Sequence, residues 1–455
     1  MGELWRLLPE YLVTAGALVV LFADVLRLGD RGAARLGALI AASAAVVAAL
    51  IGPGGALFGG MLALDEGAVF ARVAIAALSA VWMLWIAGRG TGDERSAEAV
   101  ALALFSVLGG MLMVSARDLI VLFISLELST MPAYVLMGYR RSDANGLEGA
   151  LKYFLLSMLT SLVMLYGLSF VYGMAGTTAY AGLITGEPGL LRSLSFVFVL
   201  VGLFAKLSAA PFHFWTPDAY SGAPAWAVAF VSTVPKIAGT VAAVQLVGAL
   251  APGVSVASAV LVAVAVVSMV VGNLAAYPQT DLRRLMAYSG VAHTGYILLA
   301  LAAGDVGGAA AVFYAVAYAV PSMAIMLVAA EEGPALTDLG ALASRRPALS
   351  WAFVAWLLSL VGIPPMVGFF GKLYLFTSAV RADLLWPVIV AVAMSVVSAG
   401  YYFRVLREVF FGERADAPAL EPSVLATVAL GLAAVVVLGL GVLAQPVLTF
   451  IGLAF

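Results

Sequence analysis

The sequence has 455 residues, 64% hydrophobic and 11% charged, with a mean hydropathy of +1.09 and a formal net charge of −2. Soluble domains carry about a quarter charged residues, so the composition excludes a water-soluble chain, and the near-neutral charge gives no footprint for nucleic acid. No cysteine and two histidines exclude iron–sulfur clusters, disulfides and a haem or zinc ligand set on this chain, so any redox chemistry must sit on a partner.

Apolar runs recur from one end to the other, each long enough to cross a hydrocarbon core of ~30 Å. In chain order they fall near 5–26, 33–51, 68–87, 97–115, 118–138, 150–174, 191–210, 224–249, 255–277, 284–303, 306–330, 348–380, 384–406 and 422–448. They predict a single all-α polytopic membrane domain over 1–455, with about fourteen transmembrane helices in the lipid bilayer. The opening, Met1 to Pro9, carries Glu3 and Arg6 and lacks a basic region with a cleavage site, so the first run is expected to be a retained helix. The seventh span ends at Pro211 and runs into the semi-polar Phe212–Tyr220, and the overlong twelfth contains Pro364–Pro365. Both are expected to be broken helices.

Of nineteen arginines, fourteen lie in or beside the odd-numbered connections. By the positive-inside bias those loops are expected to face the cytoplasm, with both termini on the opposite side of the cell's inner membrane. The four lysines behave differently: Lys152, Lys206, Lys236 and Lys372 all lie within or at the edge of apolar spans. Arginine is always charged, whereas a dehydrated lysine can shed its proton. Helical rise places Lys236, Lys372 and Glu127 roughly 14–18 Å into their spans, and Lys206 lies deep in the seventh. Such groups read either as structural ion pairs or as functional sites, and intramembrane charges are functional by default. One carboxylate, Glu127, cannot neutralise three lysines. Lys152, about one turn after Glu148, fits a solvated or interfacial role as well as a proton path.

His293 lies inside the tenth span near Ser289, Thr294 and Tyr296; a neutral imidazole accepts a proton on one nitrogen and donates from the other, which suits a relay. The alternative is a hydrogen-bonded core histidine. His213 follows the expected break in the seventh span and reads equally as a gate or as a cap of the broken helix. Ser208, Ser232, Thr233 and Thr240 are candidates to line a hydrophilic axis or simply to pack helices closely.

Five segments carry a family resemblance: Ser125–Tyr134 (SLELSTMPAY), Ala150–Ser157 (ALKYFLLS), Ala205–Asp218 (AKLSAAPFHFWTPD), Val234–Ala238 (VPKIA) and Gly362–Tyr374 (GIPPMVGFFGKLY). Together they resemble the antiporter-like subunits of respiratory complex I, most closely the N-type. Lys372 in the twelfth span argues against the M-type, which has a glutamate there, and the end at Phe455 argues against the L-type. The resemblance implies two inverted five-helix repeats, 97–249 (helices 4–8) and 255–410 (helices 9–13), with helices 7 and 12 broken. These would be flanked by helices 1–3 over 1–90 and a last helix over 422–455. It implies an ion pair of Glu127 and Lys206, a central Lys236, a linking His293 and a terminal Lys372 moving protons, with Lys152 and His213 as lesser candidates. NADH, FMN, iron–sulfur clusters and quinone are expected on partner subunits, including an M-type subunit, small membrane subunits and a peripheral redox arm. A cation/proton antiporter subunit, or the membrane subunit of a hydrogenase or other-donor complex, would share these motifs.

Overall fold

The computed structural model describes residues 3–23, 25–92, 95–140, 142–183, 189–413 and 423–452; Arg141 and Arg414, both in arginine-rich connections, lie outside that set. The early helices are α1 (Leu8–Leu21), α2 (Gly29–Ile51), α3 (Glu66–Arg89), α4 (Ser96–Ser115), α5 (Leu119–Met137), α6 (Ala144–Ala175) and α7 (Leu190–Leu207). They are followed by α8 (Trp215–Gly222), α9 (Ala225–Val231), α10 (Val234–Leu250), α11 (Ala257–Ala276), α12 (Leu282–Ala302) and α13 (Gly308–Glu332). The remainder are α14 (Leu342–Arg345), α15 (Pro347–Val361), α16 (Val367–Arg381), α17 (Leu385–Phe411), α18 (Val424–Val442) and α19 (Ala444–Phe450). Thirteen spans among the described residues are long and apolar enough to cross a membrane. The shorter α15 and α16 together supply one more, in keeping with the expected count. A two-stranded hairpin, Gly55–Leu57 with Leu62–Leu64, joins α2 to α3; the apolar pattern had suggested nothing there beyond a connection.

The few acidic residues at span ends begin helices. Asp65, Asp118, Asp143 and Asp281 each accept hydrogen bonds from the otherwise unpaired backbone N–H groups of the first turn, the role for which short acidic side chains are favoured. Two of these caps repeat a larger arrangement. Asp118, opening α5, bridges to Ala179, with Leu119 N–H donating to Thr178 O and Tyr180 N–H to Arg117 O. Asp281, opening α12, bridges to Ala335, with Leu282 N–H donating to Pro334 O and Leu336 N–H to Thr280 O.

Both expected breaks are present. α7 stops at Leu207 because Ser208 takes a left-handed conformation (φ 64°), and the short α8 resumes after Pro211. α15 stops where Gly362 does the same (φ 92°), and α16 begins beyond Pro364–Pro365. A third break, between α9 and α10, was not expected: the run at 224–249 read as one helix. Pro235 lacks an N–H and its ring clashes with the carbonyl four residues back; that residue is Val231, where α9 ends. Lys236 therefore stands on the first turn of a restarted helix.

α10, α12 and α13 are buried nearly all round, while α2, α6, α17 and α18 keep outward stripes such as Leu39, Leu155, Ile389 and Val435, the pattern of a bundle with lipid on its flanks. Among the described residues one arginine is fully buried. Arg72 lies two turns inside α3, fully buried, and its guanidinium donates to both carboxylate oxygens of Glu10 in α1, at 2.8 and 2.6 Å. A planar fork matched bidentately to a carboxylate offsets much of the cost of burying a permanently charged side chain.

Backbones meet closely where α4 crosses α5. A methyl group at Gly109 would lie 2.3 Å from Ser129 N and 2.7 Å from Leu128 C, one residue beyond Glu127. Gly109→Ala must push the helices apart, an overpacking cost of about 1–3 kcal/mol. The expected outcome is a lower melting temperature of the detergent-solubilised protein, read by a thermal-shift assay; an unchanged melting temperature would contradict the backbone contact.

Candidate functional site

Lys206 occupies the last turn of α7 with only 5% of its side chain exposed, and its Nζ donates to Ser157 Oγ (2.7 Å), Tyr134 OH (2.9 Å) and Thr130 Oγ1 (3.3 Å). The Glu127 carboxylate stands 3.5 Å away, held on Oε1 by the Ser161 hydroxyl at 2.7 Å. Glu127 Oε2 is buried without a partner among the described residues. The ion pair is thus loose on both sides: the lysine is satisfied by hydroxyls from α5 and α6, and the carboxylate is half-satisfied.

Between Lys206 and the next lysine lies a small enclosed cavity of about 20 Å³, lined by both Lys206 and Lys236 together with Thr130, Ser208, Tyr153, Trp215 and other residues. That is room for roughly one water molecule. Lys236 is buried; its Nζ donates to Gly290 O (3.2 Å) on α12 and sits over the Tyr318 ring of α13 at 5.1 Å. His293, one turn along α12, has phenols on both nitrogens, with Tyr314 OH 2.7 Å from Nδ1 and Tyr402 OH 3.2 Å from Nε2, and Tyr318 packs 4.8 Å from its ring. Tyr402 OH also meets Ser289 Oγ at 2.5 Å. Lys372 completes the row. Its Nζ donates to Leu360 O (2.9 Å) and Val361 O (2.8 Å), the carbonyls exposed by the end of α15, and to Ser395 Oγ (2.7 Å), and it lies over the Tyr296 ring at 5.2 Å.

Lys152 and His213 stand apart from this row. Lys152 is 47% exposed and pairs with Glu148 (2.8 Å) and Asp218 (2.9 Å), which favours the solvated reading. His213 is buried in the break after α7 with Nδ1 unpartnered among the described residues, its ring near Phe214 and Tyr288. Of the hydroxyls considered from sequence, Ser208 lines the cavity, whereas Thr233 and Thr240 bond carbonyls of their own helical segments. Thr294 donates to Leu207 O (2.6 Å), closing the end of α7. Sequence reasoning missed Tyr314, Tyr318, Tyr402 and Ser395, because aromatic and small residues in apolar spans look like any membrane interior.

The sequence profile of the NADH:quinone oxidoreductase/Mrp antiporter transmembrane family matches residues 116–398, more than half of the chain and all of this row. The chain belongs to that family. It is 37% identical to NADH-quinone oxidoreductase subunit N of Sphingopyxis alaskensis, over 95% of both chains. Among solved structures it is similar to a chain of respiratory complex I from Thermus thermophilus, with 33% identity, a TM-score of 0.85 and coverage of 97% of this chain and 98% of that one. A chain of the Mrp complex from a Dietzia species shares the fold, with a TM-score of 0.86 at 23% identity over 99% of this chain and 96% of that one.

Gly290 is what lets Lys236 approach α12. A methyl group there would stand 2.8 Å from Tyr318 OH and 3.3 Å from Lys236 Nζ, so Gly290→Ala must displace one of them by a few tenths of an ångström. The expected result in a high-resolution structure of that variant is the loss of the hydrogen bond from Lys236 to the residue-290 carbonyl; a superimposable Lys236 and Tyr318 would refute it.

Proposed function

We propose that this chain is the proton-translocating N-type membrane subunit of a NADH-quinone oxidoreductase. Protons would move along Glu127, Lys206, Lys236, His293 and Lys372, driven by redox chemistry in partner subunits. One observation carries the reading: three lysines with buried side chains and a buried histidine stand in sequence across helices that are broken beside the lysines, in a chain that belongs to a family of redox-linked and antiporter membrane proteins. Intramembrane ionisable groups facing a bundle interior mark ion pathways. Relatives over most of the chain are named as subunit N of that enzyme. NADH, FMN, iron–sulfur clusters and quinone would belong to partners, which include an M-type subunit, small membrane subunits and, indirectly, the peripheral arm. The arginine-rich odd connections would face the cytoplasm and both termini the other side of the inner membrane.

The paired bridge at Asp118/Ala179 and Asp281/Ala335 supports a two-unit architecture, 97–249 and 255–410. Each bridge opens the second helix of its unit, and by the span count the two lie at opposite membrane faces, the relation an inverted repeat requires.

The switch in this reading is the Glu127–Lys206 pair. At ~4 Å and an effective dielectric constant of ~20, opposite charges attract by about 4 kcal/mol. Withdrawing Glu127 by even a few ångströms removes much of the force that holds the proton on Lys206, and the cavity between Lys206 and Lys236 offers the place for a bridging water. Glu127 can move because one of its oxygens is not held. Lys236 then hands the proton through the tyrosine-flanked His293 toward Lys372. A partner's conformational or electrostatic change would drive the movement, with no redox group on this chain.

Gentle purification with native partners, mass spectrometry and donor-driven quinone reduction test the assignment. Co-purification with iron–sulfur and flavin subunits and NADH-driven activity are expected. Recovery with small hydrophobic partners and no redox protein would make the chain a cation/proton antiporter subunit instead. Within the assembled enzyme, Lys206→Ala or Lys236→Ala is expected to lower this chain's coupled proton transfer by about 10²-fold or more. Lys206→Arg, which keeps the charge but cannot release it, is expected to fail too. Normal pumping stoichiometry in these variants would sink the relay.

A further inference from the structure

The cavity that holds Lys206 and Lys236 is walled on one side by two elements that also carry an exposed charge cluster. Tyr153 of α6 and Trp215 of α8 stack at 4.0 Å, nearly parallel, and both line the cavity together with Tyr220 of α8. Trp215 is also tied inward, its Nε1 donating to Ala205 O (3.2 Å) beside Lys206. One residue before Tyr153 is Lys152, and three residues after Trp215 is Asp218. The Asp218 carboxylate accepts from Lys152 Nζ on one oxygen and from Arg284 Nη1 of α12 on the other, both at 2.9 Å, and all three side chains are a third to a half exposed. Asp218 is the one charged residue on α8. Beneath the charges the backbones of α6 and α8 touch: a methyl group at Gly149 would lie 2.9 Å from Asp218 O, and one at Gly222 would lie 2.5 Å from Asn145 O.

The inner face of α8 (Trp215, Thr216, Pro217, Ala219 and Tyr220) is buried, whereas its outer edge is held by the glycine contacts, which supply no directional bond, by a long hydrogen bond from Arg284 Nη1 to Ser221 Oγ (3.4 Å), and by Asp218, which bonds α6 and α12 at once. Half-exposed ion pairs are individually weak, so such a tether releases without large cost, unlike the buried Glu10–Arg72 fork.

We propose that Asp218 is a positioning residue for a gate. By bridging Lys152 and Arg284 it seats α8 against α6 and α12, and so keeps the Tyr153–Trp215 stack closed between the arginine-rich face and the Lys206–Lys236 cavity. Release of either cation lets α8 lift, parts the stack and admits water to the lysines from that face. Lys152 then acts through Asp218, outside the proton path. The inference rests on the reading of the cavity as part of that path, but its test does not require pumping.

The chain has no cysteine, so a Val231→Cys reporter in the cavity wall can be labelled alone on this subunit. The probe is a small charged methanethiosulfonate applied to the arginine-rich face of vesicles that contain the whole assembled complex, with labelling read by mass spectrometry. In an Asp218→Asn background the labelling rate is expected to rise roughly fivefold or more, as the loss of one or two surface ion pairs allows, and Asp218→Glu is expected to restore it. A second reporter, Leu357→Cys on α15, fully buried and away from the cavity, must stay unlabelled. Should Asp218→Asn not assemble, Arg284→Gln breaks one arm only and carries the same expectation. An unchanged rate in assembled variants, or equal labelling of both reporters from general loosening, overturns the gate. Loss of the relay reading would show separately, as normal pumping in Lys236→Ala with the labelling contrast intact.

Discussion

A backbone carbonyl or N–H without a partner costs several kcal/mol in hydrocarbon, and among the described residues three spans are interrupted beside the lysines. The structure follows from how each interruption is repaired. At the end of α7, Thr294 donates to Leu207 O, Trp215 Nε1 donates to Ala205 O, and Ala210 N–H finds Ser268 Oγ. Between α9 and α10, Thr233 Oγ1 covers Ala229 O and Phe230 O, while Trp82 Nε1 reaches across from α3 to Trp226 O. At the end of α15 the donor to Leu360 O and Val361 O is an ammonium, Lys372, helped by the Ser395 hydroxyl. The helices that supply these partners, α3, α11, α12 and α17, are thereby fixed against the broken ones. Broken helices in a membrane need neighbours, and the neighbours chosen here bring the polar row together.

That constraint separates what the sequence made legible from what it hid. The break at Pro211 was readable because the span runs there into a semi-polar stretch, and the one at Pro364–Pro365 because the prolines sit inside a run too long for one straight helix. Pro235 was equally visible, but it lies between Val234 and Lys236 in a run of ordinary span length, and that run read as one helix; the stop at Val231 follows from the steric clash four residues back. The lysines stood out because four positive charges in apolar spans demand an account. Their partners did not. Tyr314 and Tyr318 lie on α13 among valines and alanines and Tyr402 on α17 between Tyr401 and Phe403, and only the packing of α12 against those helices brings them to His293. The partner of Arg72 was hidden for a related reason: its carboxylate, Glu10, is 62 positions away.

The partners also divide the lysines among themselves. An ammonium has three donors and a neutral amine two. Lys206 and Lys372 each meet three acceptors, Ser157, Tyr134 and Thr130 for the first and two carbonyls with Ser395 for the second. Removing a proton from either strands an acceptor unless a hydroxyl turns. Hydroxyls can turn around Lys206, where all three acceptors are side chains that also donate. Carbonyls cannot, so at Lys372 the accommodation falls to Ser395, which already donates weakly to Val361 O (3.3 Å).

Lys236 is different in kind. Among the described residues its ammonium meets one carbonyl and one ring face, so a neutral amine there strands nothing. In the proposed proton path from Lys206 to Lys372, the middle group is then the one that strands no hydrogen-bond acceptor when its proton leaves, while the groups at either side have surroundings that must rearrange. The rearrangements are local and of different sorts: rotation of hydroxyls and movement of Glu127 at one side, and adjustment of a helix end at the other. A group of low structural consequence between two of high consequence passes a proton on without storing the conformational change. Under the proposed relay, the mechanical coupling to partner subunits would therefore belong at the Glu127–Lys206 pair and at the α15–α16 break, the two places where the position of a proton and the position of a helix are the same question.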